Sequence, residues 1–238
     1  MCGRYSLFTP PEEVEERFDA RFERSFRPRY NAAPSQNLPV IQNTSRDTIR
    51  TLRWGLIPSW ADDAKVGNKR INARAETVRE KRSFAEAYEQ RRCLVLADGF
   101  YEWAKTDSGK QPYRVSFEDD RPFAMAGLWE RWTPPQKQTG LGDFGGGDKP
   151  DARVEPIESF TIITTEPNDL IEPLHNRMAV ILEPEAEDAW LTGDPEEVYD
   201  LLRPYPDDSD LRAYPVSTVV NNPSNDRPEI VEEVDLAA

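Results

Sequence analysis

Residues 93–103 read CLVLADGFYEW, and this stretch decides the fold. A five-residue apolar run begins at Cys93, Asp98-Gly99 then marks a bend, and an aromatic-rich run follows up to Trp103. Short apolar or aromatic runs bounded by Asp and Gly are typical of β-strands. We therefore predict one strand-like run with a bend at Asp98-Gly99, and we expect Cys93 to be buried in it.

Runs of the same kind recur along the chain. They are LPVIQ (38–42), TIRTLRWGL (48–56), PYRVSF (112–117), PFAMAGLWERW (122–132), SFTIITT (159–165) and MAVILE (178–183). Helical patterns are fewer: Thr9-Pro10-Pro11 predicts a hydroxyl-capped helix to about residue 24, and 76–91, 184–192 and 195–203 also look helical. RPRYNAAPSQ (27–36) is predicted to be a loop.

These elements predict one α+β domain over residues 1–238, with a mostly antiparallel, barrel-like β core and peripheral helices. Residues 133–156 hold five of the 12 glycines and lie between two strand-like runs, so we predict a Gly/Pro-rich surface insertion there. Residues 183–238 form an acidic C-terminal region with 16 acidic and three basic side chains. That region carries −13 of the net charge of −14.

Composition excludes several classes of protein. Two cysteines and one histidine are too few for a structural zinc site, so we expect no metal and no cofactor. No apolar stretch approaches the roughly 20 residues of a membrane span, and no signal peptide is present, so we expect a cytoplasmic protein without membrane contact. The acidic surface favours a monomer.

Cys2 directly follows the initiator methionine. Removal of Met1 would give one residue both a thiol and an α-amine whose pKa is near 7.7–8.0. The amine could act as the base for its own thiol, or it could condense with an aldehyde before the thiol closes a thiazolidine ring. A small residue without function at this position is an equally good interpretation of MCG alone.

Two further titratable groups are candidates for proton transfer. Glu102 lies among Phe100, Tyr101 and Trp103, where burial would raise its pKa and suit it to acid–base work. The alternative is an exposed strand glutamate, which the pattern alone slightly favours. His175, the only histidine, precedes an apolar run and could relay protons, although a lone histidine is more often structural.

Aromatic and basic residues alternate between positions 54 and 74, which hold Trp54, Trp60, Arg70, Asn72 and Arg74. Aromatic rings that stack on bases, with guanidiniums that hold phosphates, are typical of single-stranded nucleic-acid grooves. The strand pattern around Trp54 favours a core position. The Pro-Ser-Trp-Ala turn favours an exposed Trp60.

Six segments in order, MCGRY, YNAAP, RWGLIPSW, INARAET, ADGFYEW and LHNRM, resemble the SOS response-associated peptidase family over nearly the whole chain. Members of that family shield abasic sites in single-stranded DNA. The resemblance implies that Cys2, after loss of Met1, forms a covalent thiazolidine crosslink with the abasic aldehyde as part of a DNA damage response. It also implies nucleoid association on damaged DNA, and lyase and self-processing cysteine peptidase chemistry.

The resemblance also implies a role for each matching residue. Asn72 would position Cys2, Glu102 would move protons during imine formation, and His175 would assist sugar ring opening and crosslink reversal. Arg4, Arg74 and Arg177 would hold phosphates. Asn31 and Pro34 would line the groove, and Trp60 would stack against bases. The chain departs from the pattern at Ala61, where some relatives have a second aromatic, and in its acidic C-terminal region.

Two other functions remain open. Glutamine amidotransferases with an N-terminal cysteine also begin MCG, but they usually carry an Asn-Gly motif, which this chain lacks. A non-catalytic module for single-stranded or modified DNA would explain Trp60 and the arginines, yet it would leave Cys2, Glu102 and His175 without a role.

Overall fold

A computed structural model describes residues 3–107, 109–135, 155–206 and 210–236. The strands are β1 (Tyr5–Leu7), β2 (Arg21–Phe22), β3 (Arg29–Ala32), β4 (Asn37–Gln42), β5 (Ser45–Trp54), β6 (Asn72–Arg74), β7 (Arg92–Ala97), β8 (Gly99–Thr106), β9 (Gly109–Phe117), β10 (Phe123–Trp132), β11 (Ile157–Thr165), β12 (Met178–Ala179), β13 (Ile181–Leu182) and β14 (Leu211–Pro215). The α-helices are α1 (Pro11–Phe18), α2 (Ala85–Gln90) and α3 (Pro184–Thr192).

Five strands close into a barrel. Antiparallel pairing runs from β11 through β10, β7 and β4 to β5, and a parallel contact between β5 and β11 closes the ring at Trp54 and Phe160. Closure leaves no free edge in the ring. The predicted α+β domain with a mostly antiparallel, barrel-like core is confirmed, and short 3₁₀ helices add to its periphery.

A second sheet has the strand order β14-β9-β8-β1-β3. The stretch CLVLADGFYEW (93–103) crosses from one sheet to the other, because β7 belongs to the barrel and β8 to the second sheet. Asp98 is the single residue between them. Cys93 is completely buried in β7, as predicted.

The main core lies between the two sheets. Tyr5 and Phe100 from the second sheet pack in one cluster with Val95, Ile162 and Met178 from the barrel strands and their extensions. We call this cluster the inter-sheet core. A second apolar cluster lies between the barrel and the helices, where α1 contributes Val14 and α3 contributes Trp190.

Helix lengths differ from the prediction. α1 ends at Phe18 because Asp19 adopts a left-handed conformation (φ 46°), and the chain then forms β2 instead of continuing to residue 24. The hydroxyl of Thr9 does not cap α1, because it donates to Asp98. Segment 184–192 is helical as predicted, whereas 76–91 and 195–203 contain the short α2 and 3₁₀ turns.

The predicted loop 27–36 also differs, because its residues 29–32 form β3 beside β1. Most of the expected surface insertion, residues 136–154, lies outside the described residues. Within the described ranges, no helix is both long enough and apolar enough to span a bilayer.

Candidate active site

Strand β1 delivers the N-terminal segment to strand β8. Tyr5 pairs with Phe100 and Ser6 with Gly99, and the backbone N–H of Tyr101 donates to the carbonyl of Arg4 at 3.0 Å. Continued two residues from Tyr5, this antiparallel register sets Gly3 level with Glu102. Cys2 lies outside the described residues, so its predicted role is untested by the geometry.

Glu102 lies on the same face of β8 as Phe100, because side chains alternate along a strand. It is 1% exposed, so the alternative of an exposed strand glutamate is wrong. Burial raises the pKa of its carboxyl to about 7. A carboxyl with that pKa exchanges protons readily at neutral pH, which is what a general acid–base group requires.

Asn72 and His175 reach the rim of the inter-sheet core from the barrel side. Asn72 begins β6, which pairs with β11 at Ile162, and His175 precedes β12, which pairs with β11 at Thr164 and Thr165. The residues directly before them, Ile71 and Leu174, both pack on the inter-sheet core. Phe100, two residues from Glu102, is part of that same core, so a chain neighbour of each of these three polar residues packs on one apolar cluster.

His175 is half-buried and its ring is oriented by the next turn of chain. Nδ1 of His175 lies 3.0 Å from the backbone N and 3.2 Å from the carbonyl oxygen of Arg177, so it accepts from the first or donates to the second according to the ring tautomer, and the donating tautomer leaves Nε2 able to accept a proton. Burial lowers the pKa of the imidazole, and the positive charges of Lys110 and Arg177 lower it further.

Arg177 is engaged within the protein. Its guanidinium forms a bidentate ion pair with Glu76 and donates to the carbonyl of Thr164 at 2.6 Å. The side chain of Arg177 is 12% exposed, against 55% for Glu76. A phosphate at this position would therefore have to compete with Glu76.

Arg4 and Asn31 form one buried network, which changes the role expected for Asn31. The Arg4 guanidinium donates to Asn31 Oδ1 at 2.6 Å and to the carbonyl of Val220 at 2.7 Å. The Asn31 amide donates to the carbonyls of Val220, Asn222 and Asn225. Asn31 is completely buried, so it ties β3 to loop 220–225 and does not line a groove.

The remaining predicted contact residues lie nearer the surface. Trp60 is 41% exposed, and the guanidiniums of Arg82 and Arg70 lie 4.7 and 5.5 Å from its ring centroid. Arg74 is exposed and Pro34 is partly exposed. Trp54 is a core residue, as its strand pattern predicts, and its Nε1 donates to the carbonyl of Ile71 at 2.9 Å.

Three residues that support the site were not predicted to belong to it. Glu76 holds Arg177, Arg82 flanks Trp60, and Asp98 binds the chain at Ser6, Phe8 and Thr9. Glu76 stands inside INARAET and Asp98 inside ADGFYEW, so the motifs contained them. Their partners are about 90 to 100 residues away, which no local pattern reveals.

A metal centre receives no support from the described chain, in which no cluster of His, Cys, Asp and Glu has metal-binding geometry. Cys93 is also unsuited to chemistry, because complete burial raises the pKa of its thiol far above neutrality.

Comparison with known proteins gives consistent matches along the chain. A family model described as SOS response associated peptidase (SRAP) matches residues 1–223. The abasic site processing protein YoqW of Bacillus subtilis is 43% identical over 240 residues, covering 98% of this chain and 99% of that protein. The abasic site processing protein HMCES of Xenopus tropicalis is 32% identical, covering 99% and 79%. A crystal structure of a protein from Bacteroides thetaiotaomicron superposes with a TM-score of 0.82 at 27% identity, covering 98% of this chain and 100% of that one.

Proposed function

Because the chain belongs to the SOS response associated peptidase family, we propose that it processes abasic sites in single-stranded DNA. In this proposal Cys2, exposed by removal of Met1, forms a covalent thiazolidine link to the lesion. The relatives YoqW and HMCES are abasic site processing proteins by name. The match covers 98% of this chain and 99% of YoqW, so no large part of YoqW lacks a counterpart in this chain.

The chemistry begins at the ring-opened deoxyribose, which offers an aldehyde. The unprotonated α-amine of Cys2 adds to the aldehyde carbon, and loss of one water gives an imine. The Cys2 thiolate then adds to the imine carbon and the imine nitrogen takes up a proton, which closes the five-membered ring. The net change is one carbon–nitrogen bond and one carbon–sulfur bond formed, with one water released.

Glu102 is the proton-transfer group for the dehydration step. In its acid form it protonates the departing hydroxyl, and in its base form it removes a proton from the attacking amine. A pKa of about 7 populates both forms near neutral pH. Asn72 positions the adduct, and His175 moves protons during ring opening and reversal.

The observation that carries the proposal is the register of β1 against β8. It brings the N-terminal segment level with a buried glutamate whose pKa is raised by burial. A passive DNA-binding module has no chemical use for a carboxyl with that pKa beside the N-terminal segment.

DNA contacts follow from exposure and charge. Trp60 offers a stacking face supported by Arg70 and Arg82, and Arg74 offers an exposed cation for a phosphate. Arg4 and Arg177 would join in binding only with a change in their internal contacts. We further propose cytoplasmic, nucleoid-associated action as a monomer, with self-processing cysteine peptidase chemistry and with lyase activity through the same imine.

The test is a denaturing gel with intact-mass analysis. Full-length protein, confirmed to lack Met1, is incubated with a single-stranded oligonucleotide that carries one abasic site. We expect a heat-stable adduct with the combined mass less one water, and we expect Cys2→Ala to form none.

Cys93→Ala is the matched control, because it removes the other thiol at a buried position outside the site. It should crosslink like the wild type. An adduct that persists in Cys2→Ala would overturn the assignment of the nucleophile. Absence of any adduct from protein lacking Met1 would overturn the proposed function, and glutaminase activity would then be assayed.

A further inference from the structure

Asp98 has a completely buried carboxylate that gathers the N-terminal segment around it. Its Oδ1 accepts from the Ser6 hydroxyl at 2.7 Å. Its Oδ2 accepts from the backbone N–H groups of Phe8 and Thr9, the latter at 2.9 Å, and from the Thr9 hydroxyl at 3.1 Å. The backbone N–H of Asp98 also donates to the carbonyl of Ser6 at 2.9 Å.

The charge of Asp98 is balanced inside the protein. Arg114 is 1% exposed, and its guanidinium lies 3.4 Å from Asp98 Oδ1 and donates to the Asp98 carbonyl at 2.9 Å. Arg114 is held in turn by Asp120 and by the hydroxyl of Tyr214. Buried charges are tolerated when they are paired and hydrogen-bonded in this way.

Gly99 makes room for this arrangement. A Cβ at position 99 would lie within 2.8 Å of three atoms of the Arg114 guanidinium. The close approach of the Arg114 guanidinium therefore favours glycine at position 99, which needs no unusual backbone angle. That is one reason why the motif reads ADG rather than any other bend sequence.

The position of this cluster relative to Glu102 gives it a further consequence. Ser6 pairs with Gly99, so Asp98 fixes one end of the β1–β8 ladder. Glu102 lies four residues along β8 from Asp98, and Cys2 lies four residues before Ser6 in the sequence. A slip of one residue in this ladder would move the N-terminal segment by about 3.3 Å and invert its alternation of faces.

We propose that Asp98 is a positioning residue for the crosslinking reaction: it fixes the register of β1 against β8 and thereby presents the N-terminal amine and thiol to Glu102. This inference rests on the proposed function for the identity of the reaction. It assigns no contact between Asp98 and the substrate. Misplacement of reacting groups by about an ångström can slow a reaction on the order of 100-fold.

The experiment compares Asp98→Asn with Glu130→Gln in single-turnover crosslinking. Glu130 is the matched control, because it is also a buried carboxylate that accepts from an arginine and a backbone N–H, but it lies on β10. For Asp98→Asn we expect the maximal rate to fall at least about tenfold. The oligonucleotide concentration that gives half the maximal rate should stay the same, since DNA contacts are intact.

The pH profile separates positioning from simple loss of stability. In the wild type the maximal rate should change around pH 7, where Glu102 titrates. In Asp98→Asn the contribution of Glu102 should be lost, because the amine no longer meets Glu102, and the profile should follow the titration of the α-amine alone, at about 7.7–8.0. A folded Asp98→Asn protein with the wild-type maximal rate and the wild-type profile would overturn the proposal.

Two further measurements cover the remaining outcomes. If Asp98→Asn does not fold, Ser6→Ala removes only one bond to Asp98 and should lower the maximal rate in the same direction by a smaller factor; no decrease would refute the proposal. If the wild type forms no adduct, the proposed function fails separately. Hydrogen exchange at the Phe8 and Thr9 amides then decides the register role: protection should be lost in Asp98→Asn and kept in Glu130→Gln.

Discussion

Glu102 couples reactivity to stability at a single residue. Its folded-state pKa of about 7 lies above the ordinary value of 4.5 because the side chain is buried. As the pH rises past 4.5, the Glu102 carboxyl loses its proton in the unfolded chain before it does so in the folded protein. The contribution of Glu102 to the free energy of unfolding therefore becomes increasingly unfavourable between pH 4.5 and about 7, and it is constant above that. A shift of this size corresponds to about 3 kcal/mol.

We therefore expect Glu102→Gln to be more stable than the wild type at about pH 8, by up to about 3 kcal/mol, and to lose that advantage at about pH 4. Thermal unfolding at both pH values measures the difference. The same variant should crosslink slowly, because it has no proton to exchange. Equal stabilisation at the two pH values would show that the gain comes from packing and that the carboxyl is not charged at neutral pH.

His175 allows a second prediction at the residue scale. Its pKa is lowered, chiefly by burial, so the ring is neutral at pH 7 and can accept a proton from the sugar hydroxyl during ring opening. We expect His175→Gln to slow crosslinking to a natural abasic site. The defect should vanish with an oligonucleotide that carries an acyclic aldehyde, since that substrate needs no ring opening. An equal defect on both substrates would instead place His175 in the imine step.

At the scale of elements, the turn 58–61 exposes the side chain of Trp60 to solvent while the next residue, Ala61, is buried. Ala61 is 4% exposed, and its carbonyl accepts from Trp132 Nε1 at 2.6 Å. The position where some relatives have a second aromatic is thus an internal anchor in this chain. Trp60 alone provides the exposed aromatic face of this turn.

Trp60→Ala should therefore weaken binding to undamaged single-stranded DNA by roughly tenfold, since stacking contributes about 1–3 kcal/mol per base. Fluorescence anisotropy with a labelled oligonucleotide measures the affinity. Leu236→Ala is the control, because Leu236 is similarly exposed at 49% and lies near the chain end. Loss of affinity in both variants would point to a general effect of apolar surface rather than stacking.

Strands of the barrel were predictable because each is a local apolar run. β1, β6 and β14 were not, since their pairing is decided by distant strands: β6, for example, joins β11 about 90 residues later. The end of α1 was missed for a similar reason. Phe22 continues the apolar spacing of the helix, yet its backbone N–H is held by Glu15 once Asp19 has turned the chain.

The sequence indicated which residues belong to the candidate site better than it indicated what each residue does there. The exposure of Trp60 could be anticipated from its local turn. The local pattern around Glu102 slightly favoured exposure, and its burial is decided by the packing of β8 in the fold. Asn31 and Arg177 stand in motifs, but their partners, loop 220–225 and Glu76, are brought to them only by the fold. A side chain that a motif predicts to contact a ligand can in this way be hydrogen-bonded within the protein instead.

The whole molecule carries its charge unevenly. The C-terminal region 183–238 has a net charge of −13, while the rest of the chain is nearly neutral. The candidate site is drawn from the nearly neutral part, where Arg74, Arg70 and Arg82 lie near one another in sequence and the acidic region contributes none of the proposed site residues. Repulsion among the acidic side chains destabilises the folded state at low ionic strength and is screened within about 8 Å at physiological salt.

Salt should accordingly act in opposite directions on stability and on DNA binding. Raising NaCl from low concentration to about 1 M should raise the melting temperature, because it screens the acidic repulsion. It should weaken reversible binding to single-stranded DNA only shallowly. Each phosphate contact adds about −0.7 to the slope of log affinity against log salt, so Arg74 alone predicts about −0.7, and Arg74 with Arg4 and Arg177 about −2. The two slopes distinguish arginines that stay in their internal contacts from arginines released to the DNA.

The discriminating variant is Glu76→Gln, which removes the carboxylate that holds Arg177. If Arg177 is internally committed in the free protein, this variant should bind DNA more tightly at low salt and with a steeper slope than the wild type. Glu80→Gln, which neutralises an exposed acidic side chain four residues further on, is the control for net charge alone. An equal gain in both variants would attribute the change to general electrostatics, and a loss in Glu76→Gln would show that the ion pair holds Arg177 in the orientation that phosphate requires.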